Sequence, residues 1–152
     1  MARESVNPRI RVAAVIDRKA KLLLVKHVKE GWEYFLLPGG GLEVGESIPE
    51  ALAREVEEET GLRVRAGKLL CVSETIFPDN PRHIVHLVFH AMDITGRIES
   101  SRDERIKESG FVSFDDLDDM ELLPPIAGFL KGAHDSGFRE GAMYLGRLWR
   151  EL

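Results

Sequence analysis

Gly40-Gly41-Leu42-Glu43-Val44-Gly45-Glu46-Ser47-Ile48-Pro49-Glu50-Ala51-Leu52-Ala53-Arg54-Glu55-Val56-Glu57-Glu58-Glu59-Thr60-Gly61-Leu62 contains a loop, a helix and a stop signal in that order. Ser47-Ile48-Pro49-Glu50 fits a capping box, in which the serine hydroxyl accepts a first-turn amide N–H. Pro49 is tolerated there because its missing N–H would have no helical partner. Gly61 supplies the left-handed residue on which helices commonly end. A helix over Ser47 to Thr60 follows. On a wheel of ~100° per residue with Leu52 as origin, Glu59 falls near about −20°, Glu55 near about −60° and Glu58 near about −120°. These three form an arc beside the apolar stripe of Leu52 and Val56. Glu50 and Glu57 fall on the face that meets water.

Carboxylates pressed against a buried edge repel one another and lose hydration, which is costly unless cations compensate. Hard divalent ions prefer such oxygen ligands and complete their shell with water or phosphate oxygens. Taken alone, a Glu-Glu-Glu run is an ordinary solvated helix face, and Gly39-Gly40-Gly41 reads as a loop whose backbone approaches a ligand.

Outward from the helix, Arg9 to Asp17 and Lys21 to Val28 read as strands, with Asp17-Arg18-Lys19-Ala20 short enough to join them as a hairpin. Trp32 to Leu37 is a third strand, halted by Pro38. Leu62 to Phe77 and Arg82 to Asp93 alternate as strands around Phe77-Pro78-Asp79-Asn80-Pro81. Gly110 to Phe114 is a short strand, Asp115 to Met120 an acidic helical turn and Ile126 to His134 a helix. Met143 to Trp149 is open between helix and strand. The pattern is α+β, helices covering a mixed sheet, in a single domain over residues 1–152.

The chain of 152 residues carries a net charge of −5, so its average surface repels nucleic acid and anionic membranes. No DNA partner and no membrane partner is expected. Cys71 is the only cysteine, which excludes an internal disulfide and a thiolate metal site and points to a reducing cytoplasm. It lies in an apolar stretch and reads as a buried, inert thiol. His83, His86 and His90 sit on one strand, with His83 on the opposite face from the other two, so they read as structural.

Gly40, Glu46, Arg54, Glu55, Val56, Glu58, Glu59, Gly61 and Leu62 stand in the order G-x5-E-x7-R-E-U-x-E-E-x-G-U, where U is aliphatic. With average residue usage such a set arises by chance on the order of once in a million chains of this size. The run resembles the signature of the Nudix hydrolases. Leu37-Pro38-Gly39-Gly40-Gly41 and Phe111-Val112-Ser113-Phe114-Asp115-Asp116-Leu117 also look like that family, so the resemblance extends over most of Arg9 to Pro125.

The resemblance implies an α/β/α sandwich in which the motif forms a loop–helix–loop. It implies metal-dependent hydrolysis of a diphosphate linkage in a nucleoside diphosphate joined to another group. It assigns the divalent ion, Mg²⁺ or Mn²⁺, to Glu55, Glu58 and Glu59 with the Gly40 carbonyl. Arg54 becomes a support for the carboxylates, and Glu46 its partner. The general base is open between Glu58 and an acid of the later loop, Asp103, Glu104 or Glu108, with Glu104 preferred among these.

Trp32 and Tyr34 are candidates for stacking on a nucleobase, and they could equally be core or dimer contacts. Arg82 is a candidate for the distal phosphate end. Pro78 follows Leu62 at a spacing that resembles the ADP-ribose pyrophosphatase subgroup. The expected substrate is therefore ADP-ribose or a similar nucleotide sugar, giving AMP and a sugar phosphate. The alternatives are a nucleoside triphosphate pyrophosphohydrolase, an enzyme of dinucleoside polyphosphates or capped RNA, or a ligand-sensing module without catalysis. A homodimer is common among such proteins.

Overall fold

Residue Ile16 is where the chain passes from one sheet to the other. The computed structural model describes residues 7–79, 81–101 and 106–148, the side chains of 106 and 107 excepted. Strand β1 (Arg9–Val15) pairs in parallel with β7 (His83–Thr95) and antiparallel with β5 (Gly39–Gly41). Strand β6 (Arg63–Ile76) lies antiparallel to β7 on its other side, and β9 (Met143–Arg147) adds in parallel at the far edge. This gives a mixed five-stranded sheet in the order β5-β1-β7-β6-β9. A second sheet is built on β3 (Lys21–Lys29), which pairs antiparallel with β2 (Asp17–Arg18), β4 (Trp32–Leu36) and β8 (Ile106–Ser113).

The expected hairpin between Arg9–Asp17 and Lys21–Val28 is thus reduced to its tip. Only Asp17 and Arg18 pair within the second sheet, turning at Lys19 and Ala20, both at positive φ. The rest of β1 leaves to bond with β7 and β5, because two sheets bury both faces of an apolar strand where one hairpin buries one. Val12, Ala14 and Ile16 pack under α1 (Ile48–Thr60) with Ala51, Leu52 and Val56. Ala13 and Val15 face the other way, toward Leu70, Cys71, Val88, Phe114 and Leu130 of α2 (Ala127–Asp135). One helix on each side of the sheets is the sandwich that the resemblance implies.

The helix α1 begins and ends as its residues dictate. Ser47 Oγ accepts from Glu50 N at 3.3 Å, and Gly61 at φ 81° donates its N–H to the Glu57 carbonyl. A 3₁₀ turn η1 (Phe114–Asp119) takes the place expected of the acidic helical turn. In the C-terminal segment left open between helix and strand, Met143–Arg147 is strand β9, held by β6. Burial pushes the Cys71 thiol up to about 12, so it is inert as expected. No helix among the described residues is long and apolar enough to cross a membrane.

Candidate active site

The three glycines before the helix are not a loop. Gly39 to Gly41 form strand β5 on the edge of β1, and at residues 39 and 40 other groups occupy the space a side chain would take. A Cβ at residue 39 would lie 2.0 Å from the Val12 carbonyl oxygen. One at residue 40 would lie 2.2 Å from the carboxyl carbon of Glu55. The need here is close approach rather than a positive φ.

That contact fixes one carboxylate, and Arg54 fixes several more. Its guanidinium reaches Glu46 through Nε at 2.7 Å and Nη2 at 3.0 Å, a two-pronged pair of the kind that carries both strength and direction. Nη1 donates to Glu55 at 2.9 Å and lies 3.5 Å from Glu58, while Nη2 also donates to the Gly41 carbonyl at 3.2 Å. The hydrogen bond from Arg54 holds the Glu46 carboxyl below its usual range, and Glu46 in turn raises Arg54. The expected pairing of these two residues is present. Glu59 is 7% exposed, and its Oε1 accepts from Gly39 N at 3.3 Å. Glu55 and Glu58 are 17% and 61% exposed along the side chain, so the arc grades from core to solvent in the wheel's order.

These carboxylates line a cleft of about 1110 Å³. One side is α1 with Arg54, Glu55, Glu58 and Glu59, and the edge strand β5 adjoins it. Another is the second sheet, through His27, Tyr34 and Leu36. The end of the large sheet adds Arg9, Arg11, Arg82 and Ile84. His27 and Tyr34 stack with ring centroids 5.4 Å apart.

Trp32 does not line this cleft. It packs on Tyr34 at 5.1 Å on the same face of β4, and of the two aromatics Tyr34 lines the cleft. Arg82 does reach the cleft, with its guanidinium 4.9 Å above the Phe77 ring. Asp103 and Glu104 lie outside the described residues. Glu108 pairs with Lys26 at 3.7 Å and is not part of the lining.

The three histidines are apart, each with its own partner. His83 meets Glu74 at 3.0 Å, His86 meets Thr75 at 3.0 Å and His90 meets Asp17 at 2.7 Å.

Arg9 and Arg11 were missed in the sequence, although a signal was there. Arg11 alternates in phase with Ala13 and Val15, residues that point into the core, and a cation in that phase is anomalous. Arg11 is half-buried and donates from Nη2 to the Leu37 carbonyl at 3.1 Å. Burial pushes it below the ordinary arginine value, against attraction from Glu59 and Glu55.

The donor set suits a hard divalent ion. Its groups are carboxylates, the missing side chain of Gly40 admits Glu55, and the single thiol is in the core. Among the described residues no three His, Cys, Asp or Glu side chains already stand close enough to chelate an ion. Glu55 is bonded to Arg54 and Glu59 to Gly39 N. The residues therefore fit an ion that takes the rest of its shell from water and substrate oxygens, not one enclosed by protein.

A cleft with acids on one side and arginines on another suits a phosphorylated ligand accompanied by a divalent ion. Comparison with known proteins makes this specific. The NUDIX domain model matches residues 7–131. An ADP-ribose pyrophosphatase of Methanocaldococcus jannaschii is 34% identical over 123 residues, spanning 80% of this chain and 68% of that one. The NAD-capped RNA hydrolase NudC of Salmonella paratyphi C is 30% identical over 81% of this chain, which spans only 46% of that protein. A NUDIX hydrolase from Nitrosomonas europaea superposes with a TM-score of 0.76 at 27% identity, covering 89% of this chain and 93% of its own. The chain belongs to the Nudix family and is a Nudix pyrophosphohydrolase, an enzyme that uses a divalent metal ion.

Proposed function

We propose that the enzyme hydrolyses the diphosphate of ADP-ribose or a similar nucleotide sugar, with Mg²⁺ or Mn²⁺, to AMP and a sugar phosphate. The observation that carries this reading is the division of the cleft. An aromatic side chain, Tyr34 on its second sheet, offers a surface for a base. The acids of α1 come next, and the Phe77–Arg82 turn, closed by Phe77 N donating to the Arg82 carbonyl at 3.0 Å, brings a cation to the cleft. A substrate with two different ends joined by a diphosphate suits that division. The resemblance to the archaeal ADP-ribose pyrophosphatase agrees with it.

A divalent ion bound by Glu55, Glu58 and Glu59 would neutralise the diphosphate and make a bound water more acidic. The protein's own work is positioning and charge stabilisation, as in phosphoryl transfer generally. Arg54 holds Glu55 and Glu46 in place, and Glu59 is anchored by Gly39 N. Glu58, the most exposed of the three, takes the proton of the attacking water as general base. Water adds to one phosphorus, the bridging P–O bond breaks, and each product leaves as a phosphate monoester. Tyr34 stacks on the base and Arg82 binds the distal end.

The test is a panel of nucleotides with either ion, followed by chromatography of the products. ADP-ribose should give AMP and ribose 5-phosphate. Inactivity on ADP-ribose, with pyrophosphate released from a nucleoside triphosphate, would sink this choice of substrate.

A further inference from the structure

The arginines of β1 have no part in the reading above, yet one of them occupies an expensive position. Arg11 sits in the core phase of its strand, beside Ala13 and Val15, and still lines the cleft. A cation placed there loses hydration, so its charge needs a use. Among the described residues it forms no ion pair. Its one side-chain hydrogen bond goes to the Leu37 carbonyl, which commits a single N–H of the guanidinium fork. Glu59 and Glu55 attract it through space without contact. Arg9 lies two residues earlier on the same face and more exposed. Its Nη2 stands 3.1 Å from where a Cβ on Gly41 would be, so the glycine lets it lie against the backbone of β5.

Resting on the diphosphate reading, we propose that Arg11 is a substrate-binding residue that grips the diphosphate from the β1 side of the cleft, with Arg9 as its outer partner. The uncommitted fork of Arg11 matches the paired oxygens of a phosphate, a geometry that lysine does not reproduce. The cleft is thereby dipolar. Carboxylates of α1 attract the cation, and arginines of β1 attract the anion that comes with it. Arg11 also stands deep enough for water to be a poor competitor.

Calorimetric titration with inorganic pyrophosphate, in chelator and again in Mg²⁺, tests this on wild type, Arg11→Met, Arg11→Lys and the control Arg65→Met. Arg65 is exposed and paired with Asp93, away from the cleft. Arg11→Met should weaken pyrophosphate binding by about tenfold to a hundredfold. Arg11→Lys should fall between it and wild type, and Arg65→Met should match wild type. With any diphosphate substrate, Arg11→Met should raise KM more than it lowers kcat.

An Arg11 serving only as counter-ion to Glu59 and Glu55 gives another pattern: tighter divalent-ion binding in Arg11→Met, with pyrophosphate binding unchanged. That pattern overturns the proposal, as does a wild-type protein that binds no pyrophosphate in either condition. Should Arg11→Met not fold, Arg11→Lys decides the matter, and equality with wild type overturns it. Wild-type binding of pyrophosphate without activity on ADP-ribose removes the substrate reading and leaves Arg11 assigned.

Discussion

Two acidic runs in this chain carry similar charge and do different things. Glu57-Glu58-Glu59 ends α1, and Asp115, Asp116, Asp118 and Asp119 fill η1. In η1 all four aspartates are exposed, while Phe114 and Leu117 go inward. Asp118 is satisfied by Lys131 of the neighbouring helix. In α1 the run is split across the wheel, so that Glu59 is buried while Glu57 and Glu58 are exposed. Its neighbours are also unusual: a glycine cut away for Glu55, and an arginine bonded to Glu46 and Glu55 and set beside Glu58. The difference teaches that charge count does not mark a site. The company that the carboxylates keep in space does.

The comparison breaks first if α1's acids are dispensable. Glu59→Gln or Glu55→Gln keeps shape and removes charge, so turnover should fall by about a hundredfold or more. The rise in melting temperature on adding divalent ion should shrink with it. Near-normal turnover in Glu59→Gln would put the two runs on the same footing.

Gly40→Ala probes the cut-away directly. The new methyl collides with the Glu55 carboxyl and displaces it, whereas the strand pairing of β5 needs only backbone. Turnover should drop by roughly a hundredfold, since a shift of about 1 Å at a reacting group has that effect. Circular dichroism should remain that of the wild type. A fully active alanine variant would mean that Glu55 is used in another position.

His86 sharpens the argument from a different buried group. It is 6% exposed, and burial, with the Arg11 charge, lowers it from 6.5 to about 4. The neutral form is favoured by folding, so its contribution is fully present above pH 6.5. It is lost as pH falls from there through about 4, by roughly 3 kcal/mol in all. Urea unfolding at pH 7 and at pH 4.5 should show a larger loss for wild type than for His86→Gln. Equal losses would mean that the ring is solvated.

Arg82→Ala should raise KM for the nucleotide sugar several-fold while kcat changes less, roughly the pattern of uniform binding. A fall confined to kcat would reassign the residue to the reacting phosphate. Smallest of all, Asp118→Asn in η1 should cost at most about 1 kcal/mol and leave turnover unchanged.

The helix was legible because its signals are local: Ser47 caps it, Gly61 ends it, and the wheel orders Glu59, Glu55 and Glu58 by burial as observed. The pairing of β1 was not, because its partners lie at residues 39–41 and 84–90 and no short-range signal names them. Pairing with β1 likewise made the glycine triplet a strand, and pairing with β6 made β9 a strand rather than a helix. Tyr34 rather than Trp32 reaches the cleft, since packing decides which of two aromatics on one face meets open space. Arg11 was legible in principle. Its phase with Ala13 and Val15 is the same kind of anomaly that marked Glu55 and Glu59.

Gly40 and Glu55 are distant in the chain but compete for one volume. In heredity, that makes their order of change matter. A codon change at 40 that adds a side chain displaces the acid at 55, and is free of that cost only after the acid has gone. Once position 40 is filled, restoring glutamate at 55 meets the atoms now in its place, and no single substitution leads back. Loss of the acid in a descendant of this chain would therefore work as a ratchet.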